Sequence, residues 1–164
     1  MLYRDRPTTE VAVRIATDLD AAWARVTDIA LPITDASELQ AVRWLDGATA
    51  PVVGARFEGD NANPVLGEWT TTSTVVEVDP PRRWVWEVGG ADGPWATWGF
   101  ELDPVREDVV VRQWVRIGPA RSGLNLAIDA APEREARIVE VRLGQLADAM
   151  RASLEGLKAE LEGR

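Results

Sequence analysis

A chain of 164 residues, 46% hydrophobic and 27% charged, carries enough apolar material to bury one core. Its net charge of −9 argues against polyanionic partners, so neither nucleic acid nor an anionic membrane surface is expected. Cysteine and histidine are both absent, which excludes disulfides, thiol nucleophiles, thiolate metal sites and imidazole acid–base chemistry.

The chain opens with charges and no apolar h-region, and no apolar run reaches the length of about eighteen residues that a spanning helix needs. A cytoplasmic protein without membrane insertion is expected. Residues 1–8 read as an N-terminal tail and residues 9–164 as one domain. From Thr9 to Thr17, Val11, Val13 and Ile15 alternate with Glu10, Ala12 and Arg14, the period of a half-buried strand. Asp18 or Asp20 then caps a helix running to Ile29, with Trp23 and Val26 on one face. Pro32 ends it, and a second short helical turn is predicted from Ile33 to Ser37.

Six strands follow: Leu39–Leu45, Gly54–Asn61, Glu68–Asp79, Trp84–Gly89, Trp95–Asp103 and Val109–Ile117. Asp46-Gly47 and Asp92-Gly93-Pro94 tolerate the backbone of tight turns, and Pro80-Pro81 removes amide donors, so an antiparallel meander is expected. Gly118 to Ala131 reads as a loop. Beyond it, Pro132 and Glu133 open a helix of roughly 45 Å. Its residues Val139, Leu143, Leu146, Met150, Leu154, Leu157 and Leu161, spaced 4, 3, 4, 4, 3 and 4, trace one apolar face. The natural partner for that face is the sheet.

This order of elements resembles the helix-grip fold of the START/SRPBCC superfamily, to which the birch-pollen allergens belong, and within it the bacterial polyketide cyclase/dehydrase and lipid-transport proteins. The likeness rests on Ala22-Trp23-Ala24-Arg25-Val26-Thr27-Asp28, on Glu38 through Asn61, on Arg112 through Leu124, and on the closing MRASLEGLKAELE. The resemblance implies an α+β fold, a curved seven-stranded antiparallel sheet around a long C-terminal helix with two short helices after strand 1. It also implies a hydrophobic ligand held between sheet and helix.

The candidate ligand-binding residues are Trp44, Phe57, Trp69, Thr71, Trp86, Trp98, Phe100, Trp114 and Met150. Eight tryptophans in this length are many, and rigid aromatic surface suits a planar or polycyclic ligand, although ordinary core packing uses the same residues. Around position 113 two arrangements are open. If the Trp114 side of the strand faces inward, Arg112 enters the interior; if Val111 and Val115 face inward, Gln113 is the interior polar group. Arg112, Asp60 and Glu68 are weak catalytic candidates, the carboxylates on the premise that burial raises their pKa. Leu124, Leu126 and Ile128, beside Gly123, are candidates for a lid. No EF-hand spacing or phosphate-cradling glycine loop occurs, so no metal and no cofactor are expected.

Three functions compete: binding or carriage of an apolar small molecule, a cyclase, aromatase or dehydratase acting on a reactive polycarbonyl chain, and a partner-binding regulatory domain. Oligomeric state is open, with a homodimer among the options.

Overall fold

A computed structural model describes residues 1–163. Seven strands form one antiparallel sheet in the order β1-β7-β6-β5-β4-β3-β2. Their bounds are β1 Thr8–Ile15, β2 Leu39–Trp44, β3 Arg56–Asn63, β4 Gly67–Asp79, β5 Arg83–Gly90, β6 Gly93–Val105 and β7 Asp108–Ile117. Strands β2 to β7 follow one another as hairpins, while β1 returns to pair with β7, from Thr8 opposite Arg116 to Ile15 opposite Val109. The first two strands therefore lie at opposite edges, and the chain must cross an open end of the sheet between them. Irregular registers between Leu39 and Ala41, Val75 and Glu77, and Val88 and Gly89 mark bulges, which bend strands and help this sheet curve.

Helix α1, Leu19–Val26, begins that crossing. Asp18 is its cap, accepting a hydrogen bond from the Ala21 amide at 2.7 Å. Its last turn is fixed from below, where the Trp84 indole Nε1 donates to the Val26 carbonyl at 2.9 Å. The expected second helix does not form. Residues 28–37 make isolated turns, Leu31 to Asp28, Ile33 to Ala30 and Ser37 to Thr34. Two local effects account for this. Pro32 has no amide to donate, and the Ser37 hydroxyl accepts from the Thr34 amide, diverting the backbone from a helical ladder.

Two further expectations are corrected. Residues 118–131 are not simply a loop, because Gly123–Ala130 forms helix α2, in which Asn125 Oδ1 accepts from the Ser122 amide. The first eight residues are no loose tail either. Tyr3 is only 8% exposed, packs with Ile117, Ile128 and Val139, and donates its hydroxyl to the Ala120 carbonyl. Its own amide donates to Glu135 at 2.9 Å.

Helix α3, Glu135–Leu161, follows a 3-10 turn at Pro132–Arg134 and is about 40 Å long. Its C-terminal end is tied to the end of β1: Lys158 Nζ donates to the Arg14 carbonyl at 2.7 Å, and the Ala16 amide donates to Glu162 at 2.8 Å. Among the strands its closest approaches are to β1 and then β7. Met150, Leu154 and Leu157 enter the main core with Val11, Ile15, Val111 and Val115, whereas Val139 belongs to the Tyr3 cluster and Leu146 touches both. No helix among the described residues is long and apolar enough to cross a membrane.

The docking of Tyr3 has a measurable cost. Tyr3→Phe keeps the ring and loses one hydrogen bond, so unfolding in urea should show a destabilisation of about 0.5–1.5 kcal/mol. Wild-type stability in that variant would mean that the segment is not anchored by its hydroxyl.

Candidate functional site

Strand alternation decides which side chains face α3. On β7 the inward set is Val109, Val111, Gln113, Val115 and Ile117; all are buried, and three of the valines join the core that includes Met150 and Leu154. Register carries the same face across the sheet. Gln113 is opposite Phe100, Phe100 opposite Trp84, and Trp98 opposite Trp86. Val75 is opposite Trp86, Phe57 opposite Ser73, and Trp44 opposite Phe57. The floor of this concave face is a sheet of rings. Trp84 and Trp86 stack with centroids 4.4 Å apart, Trp86 and Trp98 are nearly parallel at 6.3 Å, and Phe57 meets Trp44 edge-on at 5.4 Å. Trp84 and Phe100 are each 1% exposed.

Around that filled floor the concave face is only half-buried. Trp44, Val42, Val88, Ala96 and Trp98 from the sheet, and Leu146 and Ala147 from α3, pack on the core yet keep part of their surface open. Trp69 and Thr71 share the inward parity of β4, and both are half-buried. The arrangement is a groove. One wall is α3, backed onto β1, and the other is the far half of the sheet, which the helix backbone does not reach closely.

A strap crosses this groove. Arg142 of α3 pairs with Glu38, just before edge strand β2, through Nη2 to Oε1 at 2.8 Å and Nη1 to Oε2 at 3.0 Å. Asn63 at the end of β3 donates to the same carboxylate at 2.7 Å. Partial burial alone would raise the Glu38 pKa, but the hydrogen bonds and charge of Arg142, with Asn63, bring it below the ordinary glutamate range.

Of the nine candidate ligand-binding residues, Trp44, Phe57, Trp69, Thr71, Trp86, Trp98, Phe100 and Met150 fall on the groove side, by register or by membership of the core. Trp114 does not. It lies on the convex face, opposite Gly99, with the Arg83 and Arg116 guanidinium groups 5.5 and 5.7 Å from its ring centre. A Cβ at position 99 would come within 2.5 Å of this indole, so glycine is what lets the ring lie flat on the sheet.

The catalytic candidates share that displacement. Arg112 is on the convex face between Glu10 at 3.6 Å and Asp103 at 3.5 Å. Asp60 accepts from Arg43 at 2.9 Å and from Thr70 at 3.1 Å, and these two bonds lower its pKa, the reverse of the desolvated base expected from sequence. Glu68 is exposed. Asp60, Glu68 and Trp69 do come together with Gln40 and Thr70, but around a surface cleft of about 410 Å³ at the β2–β4 side. The lid candidates belong to α2. Ile128 is buried in the Tyr3 cluster, Leu124 packs on it, and Leu126 is 74% exposed, so only the last is free of the core.

The interior is chemically neutral. The buried polar side chains on the groove side of sheet and helix are Ser73, Gln113 and Ser153, and the Ser153 hydroxyl already donates to the Met150 carbonyl. Gln113 is 1% exposed, and its Oε1 has no hydrogen-bond partner among the described residues. An acceptor left so costs about 1–3 kcal/mol. No group of three or more carboxylates among the described residues is placed to hold a metal ion.

With this geometry established, comparison with known proteins identifies the lineage. Residues 6–162 match the family described as polyketide cyclase / dehydrase and lipid transport. The chain belongs to that family. Among solved structures it is similar to a polyketide-cyclase-like protein of Corynebacterium glutamicum, at 25% identity and a TM-score of 0.63, over 96% of this chain and 94% of that one. It is also similar to the di-domain ARO/CYC protein of the steffimycin biosynthetic pathway, with 19% identity and a TM-score of 0.68, covering 98% of this chain and 53% of that one. The Aha1 protein of Colwellia psychrerythraea, solved as a dimer, has the same fold at 14% identity and a TM-score of 0.53, over 95% of this chain and 96% of that one. No functionally curated protein matches the chain in sequence.

The strap carries a prediction with a definite sign. A folded-state pKa below the unfolded one stabilises the protein above about pH 4.3, and that contribution fades as pH falls through the lowered value. Arg142→Met leaves the desolvation and removes the pair, so Glu38 should titrate above the ordinary glutamate range in the variant. Carbon-13 NMR of the Glu38 carboxyl measures this; an unaltered titration would show that Arg142 does not govern it.

Proposed function

We propose that the protein binds an apolar small molecule in the groove between α3 and the concave face of the sheet. The observation that carries this is the ring of half-buried apolar side chains, Trp44, Val88, Ala96, Trp98 and Leu146, around a solid aromatic floor. Hydrophobic surface arranged concavely around a neutral interior favours a ligand that is itself largely apolar and planar. Membership of a family described by polyketide cyclisation and lipid transport supports the same class of ligand.

A second reading, catalysis of cyclisation or dehydration, draws on the likeness to the ARO/CYC proteins of the steffimycin and BE-7585A pathways. Here Arg112 is on the convex face, Asp60 is tied to Arg43 and Glu68 is exposed, so beyond the mutually paired Glu38 and Arg142 the groove presents hydroxyl and amide groups rather than charges. Binding and carriage therefore fit these residues better than turnover.

The test uses N-phenyl-1-naphthylamine, whose emission rises in apolar surroundings. The purified protein should give a saturable, one-to-one signal, and Trp98→Ala should weaken affinity by about tenfold or more, as loss of a large aromatic contact implies. Arg112→Gln, on the other face, should leave it unchanged. A flat titration, or equal losses in both variants, would remove the groove as the binding site.

A further inference from the structure

Two buried polar atoms have no hydrogen-bond partner among the described residues, Gln113 Oε1 and Trp114 Nε1. They sit on opposite faces of β7. The Trp114 ring is sealed on the convex side over Gly99 with two guanidinium groups, outside the groove. Gln113 faces the groove, between Val11 of β1 and Phe100 of β6 in the same cross-strand row. Phe100 in turn stacks against Trp84 at 6.2 Å, so the amide is set among hydrocarbon and rings. An apolar residue of similar volume would fill this place without an unmet acceptor, which makes the carboxamide a feature in need of a partner.

Resting on the apolar-binding reading above, we infer that Gln113 selects the ligand: the groove takes an apolar molecule that carries a hydroxyl group, and that hydroxyl donates to Oε1. A carboxamide accepts at Oε1 and donates at Nε2. A hydroxyl both donates and accepts, so it can answer either atom, whereas a carbonyl or ether only accepts and leaves Oε1 unmet. A neutral alcohol or phenol also avoids the cost of bringing a charge among Phe100, Trp84 and Val11. Gln113 acts as a specificity residue here, with no proton transfer assigned to it.

A matched pair of probes, 2-naphthol and 2-methylnaphthalene, tests the idea because they differ in one group of nearly equal size. Calorimetric titration of the full chain should show 2-naphthol binding about tenfold tighter, the factor one well-made buried hydrogen bond supplies. In Gln113→Leu that preference should vanish or invert while 2-methylnaphthalene still binds. Independently of any variant, the side-chain amide resonances of Gln113 in nitrogen-15-labelled wild-type protein should shift with 2-naphthol and stay in place with 2-methylnaphthalene. Equal affinities for both probes in wild type, or an undiminished preference in Gln113→Leu, would overturn the role of Gln113 and leave the groove intact. Failure of wild type to bind either probe would instead overturn the apolar-binding reading together with this inference.

Discussion

The stacked indoles of Trp84 and Trp86 set the depth of the interior, and the placement of the other elements follows from them. Their ring centres lie 4.4 Å apart, and Phe57, Trp98 and Phe100 extend the contact on both sides. Side chains of this bulk fill the middle of the curved sheet where the backbone of α3 does not reach. The helix can then lie along β1, held by Lys158 and Glu162 at one end and by the Tyr3 cluster at the other. The Trp84 indole also meets the Val26 carbonyl, so the ring that floors the groove also positions the end of α1.

An asymmetric interior results. On the β1–β7 side, helix and sheet interlock through Val11, Ile15, Val111, Val115, Met150 and Leu154, a packed core in which little can move without cost. On the β2–β6 side, apolar side chains are supported from below and partly open above. Packed and open halves of one face meet along β7 and β6, where Gln113 lies opposite Phe100. The Glu38–Arg142 pair is a polar link between α3 and the far edge of the sheet.

Much of this architecture was legible in the residues. Alternation placed Trp84 with Trp86 and Trp98 with Phe100 on common faces, and the heptad-like stripe from Val139 to Leu161 marked the side of α3 that is buried. Strand β7 resisted the same method because each face sets large apolar residues beside a polar one: Val111 and Val115 with Gln113 inward, Val110 and Trp114 with Arg112 outward. Period two carries no information when both phases read alike. The deciding feature is Gly99 on the neighbouring strand, the flat seat that accepts Trp114, and a cross-strand pairing is invisible until register is known. The positions of the catalytic candidates, away from the groove, were hidden for a related reason. A carboxylate's pKa depends on its partner, and Arg43, seventeen positions from Asp60, became that partner only through the β2–β3 pairing. The docked start of the chain was hidden because Tyr3 meets Ala120 and Glu135, residues far away in sequence.

The pairing of Thr8 with Arg116 also bears on how the protein is made. Hairpins from β2 to β7 close over short distances and can form in sequence as the chain emerges. The N-terminal strand has no neighbour among them until the last strand is complete. At translation rates of 5–20 residues per second, its hydrogen-bonding edge waits roughly 5–20 s on the ribosome before it is covered. Closing so long a loop is slow in entropic terms, so β1, β7 and α3 are expected to assemble late in folding. The alternation of Glu10 and Arg14 with the apolar residues of β1 keeps charge on that strand throughout its wait, the usual protection of an unpaired edge against association with another chain.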